Sequence, residues 1–72
     1  MRWIVKTSLD GQVFEDVICE GRPSIPERGA EILIPVNDHY ASGVVSEVSV
    51  QENNVPAVLR ITCLNAAAFA KS

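Results

Sequence analysis

Histidine occurs once in this chain, cysteine twice, and neither cysteine belongs to a Cys-x-x-Cys pair. Structural zinc takes four ligands, and His39 is the one soft partner on offer to Cys19 and Cys63, so a zinc site is not expected. Lysine and arginine are also few. Arg2, Lys6, Arg22, Arg28, Arg60 and Lys71 are scattered, and without a basic run the sequence lacks the footprint of a protein that tracks phosphates. Long apolar runs are missing as well. Nothing approaches the roughly 20 apolar residues that span a bilayer, and Lys6 interrupts the start of the chain before a signal-peptide core can form. The expectation is a cytoplasmic protein with no membrane association.

What remains is a short, moderately apolar chain. Its 72 residues are 47% hydrophobic, which suits a folded domain better than a disordered tail, and nine acidic residues against six basic give a mild negative charge. A chain this short forms one domain with a thin core, burying only about 60% of the surface its unfolded form exposes.

Apolar residues recur at period two, the mark of half-buried strands. In "VPAVLRITCL" the residues Val55, Ala57, Leu59, Ile61 and Cys63 share one face, with Val58, Arg60, Thr62 and Leu64 on the other. "AEILIPV" puts Ile32, Ile34 and Val36 together, and "VVSEVSVQ" puts Val44, Val48 and Val50 together. "RWIVKTSL" and "QVFEDVICE" flank Asp10-Gly11, a dipeptide that accepts the positive dihedrals of a tight hairpin turn. Phe14 and Val17 share a face only with an extra residue near Glu15-Asp16, which predicts a bulge there. "EGRPSIPERG" is a stiff loop that Ile25 pins to the core, and Asn53-Asn54 turns between the last two strands. The expected core comprises Trp3, Val17, Ile32, Ile34, Val44, Val48, Leu59 and Ile61.

The succession of proline, glycine, apolar strand, short polar tip, valine strand, turn and apolar strand in "IPERGAEILIPVNDHYASGVVSEVSVQENNVPAVLRITCLN" resembles the layout of small SH3-like barrels of short bacterial and phage-type proteins. The resemblance covers residues 25–65. It implies an all-β fold, a five-stranded antiparallel barrel over residues 1–65 with a short C-terminal tail of helical composition at 66–72. Within that layout Gly29 and Gly43 resemble the glycine pair of RNA-binding KOW modules, although the tip His39-Tyr40-Ala41-Ser42 has no Lys or Arg. The aromatic cage of Tudor-like barrels would have Tyr40 alone.

"NDHYASG" holds the residue types of a Ser/His/Asp site, but triads draw their members from separate elements, and strand neighbours point to opposite faces. The same letters serve a polar tip: Asn37 and Asp38 as turn formers, Tyr40 roofing the end of the barrel, and Gly43 allowing a close approach. His39 and Tyr40 are thus candidate loop contacts, and catalytic, cofactor-binding and metal residues are not expected. Adjacent acids at Glu15-Asp16 diverge on a strand and do not aim across one cleft.

The outward faces are more informative. Ile4, Leu33, Val58 and Leu64 point away from the interior, beside a tail containing Phe69, and small soluble domains rarely leave such residues uncovered. These five are the candidate interface. The function expected is non-catalytic: a protein-interaction module that binds an unidentified protein or itself as a homodimer, and requires no cofactors. A nucleic-acid-binding barrel of the KOW type is the alternative, with a hydrolase using His39 behind it. Cys19 and Cys63 are expected to be reduced and shielded, with a disulfide between them as the alternative.

Overall fold

A computed structural model of the chain describes residues 1–36 and 38–71. The strands are β1 (Arg2–Leu9), β2 (Gln12–Val13), β3 (Val17–Glu20), β4 (Glu31–Val36), β5 (His39–Gln51) and β6 (Ala57–Leu64), followed by the helix α1 (Ala66–Ala70). Asn37 and the side chain of Val36 lie outside the described residues.

Asp10 and Gly11 take φ of 50° and 86°, and this two-residue turn sets Leu9 opposite Gln12. The mirror-image turn matches the twist of the flanking strands, which is why Asp-Gly closes hairpins. Past Val13 the pairing breaks and resumes at Val17 opposite Val5, one residue out of step with Val13 opposite Ser8. The irregularity expected near Glu15-Asp16 is therefore present. It brings Val17 to the same face as Phe14, which still pairs with Thr7 and packs against the core, but Val17 stays half-exposed at 50%, because among the described residues no further strand pairs with β3.

All-β is right, and the arrangement differs from a closed antiparallel barrel. The strands form one six-stranded sheet in the order β2-β1-β6-β5-β4, with β3 also on β1. β1 runs parallel to β6, from Trp3 beside Ala57 to Leu9 beside Cys63. This central pairing sets Trp3 and Leu59, two of the largest fully buried side chains, on adjacent strands. The sheet curls without closing. Pro35 of β4 faces Gln12–Val17 across a cleft of about 390 Å³.

The core consists of Trp3, Ile34, Val45, Ala57, Leu59, Ile61 and Cys63, with Ile32 and Val48 packed against it. β6 follows the alternation read from sequence from Ala57 to Leu64; Val55 lies before the strand and is exposed. β5 does not follow it. A bulge sets Ser46 and Glu47 against the single residue Thr62, and the Ser46 hydroxyl donates to the Thr62 carbonyl at 3.1 Å. One extra residue reverses every side chain beyond it. Val48 and Val50 keep the inward parity, but upstream of the bulge Val45 is fully buried and Val44 turns outward, opposite Leu64.

The 21–30 loop is held by its end rather than by Ile25, which is 36% exposed. Gly29 donates to the Val45 carbonyl at 2.8 Å, Val45 donates to Ala30 at 2.9 Å, and the Arg22 guanidinium lies over the Trp3 ring. These contacts fasten the loop to β5 and to the first strand at once.

Candidate interaction surface

The outer face of the sheet, opposite the core, is ordered by register. Ile4 of β1 pairs with Ile18 of β3 on one side and with Val58 of β6 on the other, so Ile18, Ile4 and Val58 form one apolar row across three strands. Ile18, at the unpaired edge, is 62% exposed, while Ile4 and Val58 are half-buried. Charged rows flank it. Arg2 meets Glu20 at 3.5 Å on one side, and Lys6 bonds Asp16 at 2.7 Å on the other.

The five candidate interface residues do not make a single patch. Ile4 and Val58 are direct neighbours, but Leu64 lies six residues beyond Val58, about 20 Å along the strand at ~3.3 Å per residue, with the outward-facing Arg60 and Thr62 between them. Leu64 is beside Val44 instead. Leu33, 68% exposed, pairs with Ser42 on the β4 side. Phe69 is half-buried on its own chain: the Arg28 guanidinium sits 5.0 Å over its ring, and a Cβ on Gly29 would be 3.8 Å from it. Ile18, exposed in this row, is not among the five candidates read from the sequence. Its signal is the parity of "VICE", which puts Ile18 opposite in face to Val17 and Cys19.

The residues expected as a loop tip, His39 to Ser42, are strand instead: they open β5 and pair with β4, His39 opposite Val36 and Tyr40 opposite Pro35. His39 and Tyr40 are both exposed, and the His39 Nδ1 is 3.5 Å from an Asp38 carboxylate oxygen. Ser42 stands three residues beyond His39 on the same strand, and an odd separation puts the two on opposite faces. The start of β5 thus carries an acid and an imidazole side by side, with Ser42 on the other face of the strand.

Cys19 and Cys63 are both free thiols. Cys19 pairs with Trp3 and Cys63 with Leu9, at opposite ends of β1. Six residues of strand separate those positions, about 20 Å, whereas a disulfide needs Cα atoms within about 7 Å. Cys63 is buried, and the loss of solvation pushes its thiol pKa up; Cys19 is half-buried.

Most of the basic side chains are already engaged. Arg2, Lys6 and Arg22 pair with Glu20, Asp16 and Glu52, and Arg28 covers Phe69. Among the described residues no helix is long and apolar enough to cross a membrane. Compared with protein-family models, curated proteins and solved structures, the chain matches none.

Proposed function

We propose that this chain is a non-catalytic protein-interaction module, docking another protein or a second copy of itself on the outer face of β3, β1 and β6. The observation that carries the reading is the row Ile18–Ile4–Val58, which runs apolar to an edge where β3 has no further strand beside it among the described residues. An apolar row ending at an open edge is terminated most favourably by another chain. The fold is read as an incompletely closed SH3-like barrel: residues 25–65 supply the β4–β5–β6 meander, and the approach of Pro35 to Gln12–Val17 supports barrel-like curvature. Cytoplasmic work is supported by two free cysteines held too far apart to bridge.

The nucleic-acid alternative has less behind it, since four of the six basic residues already hold an acidic or aromatic partner. A hydrolase using His39 would need a nucleophile from outside the start of β5.

A photo-crosslinking residue in place of Ile18, with a second protein carrying it in place of the exposed Glu27, tests the reading in cells that express the chain. Protein adducts at position 18 and none at position 27 are expected. Absence of adducts at position 18, or salt-sensitive retention of the protein on nucleic acid, would overturn it.

A further inference from the structure

We propose that the open edge of β3 accepts an extended segment of another protein in which an apolar residue is flanked, two positions away on either side, by lysine or arginine. The inference rests on the protein-interaction reading and specifies the chemistry of the partner.

β3 pairs with β1 along one side, and among the described residues no strand pairs with the other. Such an edge presents backbone donors and acceptors that an added strand can satisfy, with alternate side chains supplying the selectivity. The opposite edge of the sheet is guarded differently: β4 carries Pro35, which removes one donor from any ladder, and β3 has no proline.

Side chains next to the edge define what fits. On the outer face, Ile18 and Glu20 of β3 follow one another at period two, and Asp16, one residue before the strand, is held to the same face by its 2.7 Å bond to Lys6. Asp16 holds Lys6 and Glu20 meets Arg2, so charge alternates from β1 to β3, and the next strand position outward is complementary to a cation in both rows. Between them Ile18 continues the apolar row from Val58 and Ile4. An incoming strand with the pattern basic, any, apolar, any, basic places opposite charges beside Asp16 and Glu20 and an apolar side chain beside Ile18. Opposite charges across a strand pair stabilise it, and like charges directly opposite do the reverse.

The same rule disfavours a second copy of β3 at this edge. Antiparallel self-pairing that keeps outer faces together sets Ile18 on Ile18, which places Asp16 of each chain against Glu20 of the other. Both flanking rows then oppose like charges. The edge selects a heterologous, basic segment and rejects itself.

Titrating the full-length, isotope-labelled protein with the synthetic peptide Thr-Lys-Thr-Ile-Thr-Lys-Thr, and separately with Thr-Glu-Thr-Ile-Thr-Glu-Thr, tests this. The lysine peptide is expected to shift the amide resonances of residues 16–20, to weaken as salt is raised, and to bind about tenfold more tightly than the glutamate peptide. Ile18→Asp, which alters only an exposed position, is expected to abolish the shifts while the melting temperature holds. Equal binding of the two peptides, shifts confined to other strands, or no binding of the lysine peptide would overturn the inference. In the last case, persisting crosslinks at position 18 would leave the broader interaction reading standing, and their absence would remove both.

Discussion

Asp10, at the first hairpin turn, accepts two hydrogen bonds from Asn65: one from its backbone N–H at 2.9 Å and one from its side-chain amide at 3.1 Å. The Asn65 carbonyl oxygen of the side chain in turn accepts the Ala68 N–H at 2.8 Å, capping α1. The turn that closes β1 on β2 is thereby the platform on which the C-terminal helix starts. A five-residue helix is far below the length that is stable alone, so it persists through this cap and through Phe69.

Asn65→Ala is expected to cost about 1 kcal/mol for the cap, and Asp10→Ala a comparable amount for the carboxylate. Because the two side chains share one network, the double variant should lose less than the sum. Chemical denaturation of the four proteins measures this; simple additivity would mean that the contact does not hold the helix.

The bulge at Ser46 separates two adjacent valines. Val45→Ala leaves a cavity in a fully buried site and should cost about 1 to 3 kcal/mol, whereas Val44→Ala on the outer face should cost well under 1 kcal/mol. Equal losses in urea midpoint would place the bulge elsewhere. Leu59→Ala, at 1% exposure, is expected to cost about 2 to 5 kcal/mol and to prevent folding near physiological temperature.

Gly43 is buried, and a Cβ there would come within 3.0 Å of both the Cys63 Cβ and a Leu9 methyl. Gly43→Val should destabilise by about 1 to 3 kcal/mol through overpacking, with β-propensity alone favouring the valine. Thermal melting decides which effect wins, and an unchanged midpoint would show that Leu9 and Cys63 can move aside.

Cys63 and Cys19 should separate by reactivity. Under native conditions a thiol reagent should label Cys19 first, because Cys63 is enclosed and its thiolate is disfavoured by burial. For stability, the folded-state pKa of Cys63 lies above its usual 9.0, so the unfolded chain releases this proton first. The contribution is intact below that value and is lost as pH rises toward the folded-state pKa. Cys63→Ala should shallow the alkaline decline in melting temperature; an identical slope in both proteins would refute the linkage.

Apart from the opening of β5 at His39–Gly43, which reads as a polar loop, the strands, the Asp10-Gly11 turn, the irregularity after Val13 and the inward face of β6 are legible in the residues alone. All of these are local: period-two alternation reports a half-buried strand wherever it is uninterrupted, and Asp-Gly tolerates the dihedrals of a tight turn. The burial of Val45 in place of Val44 was not legible, because the bulge at Ser46 arises from β5 meeting Thr62 on a strand several residues away, and valine occupies both faces of the segment. Tertiary structure alone decided that β1 lies parallel to β6, that Cys19 and Cys63 occupy opposite ends of β1, and that Ile4 and Val58 are neighbours while Leu64 is remote from them. Alternation assigns each residue a face. Which faces lie side by side is set by the order and register of the strands, and that depends on how Trp3, Leu59 and the rest of a thin core pack together.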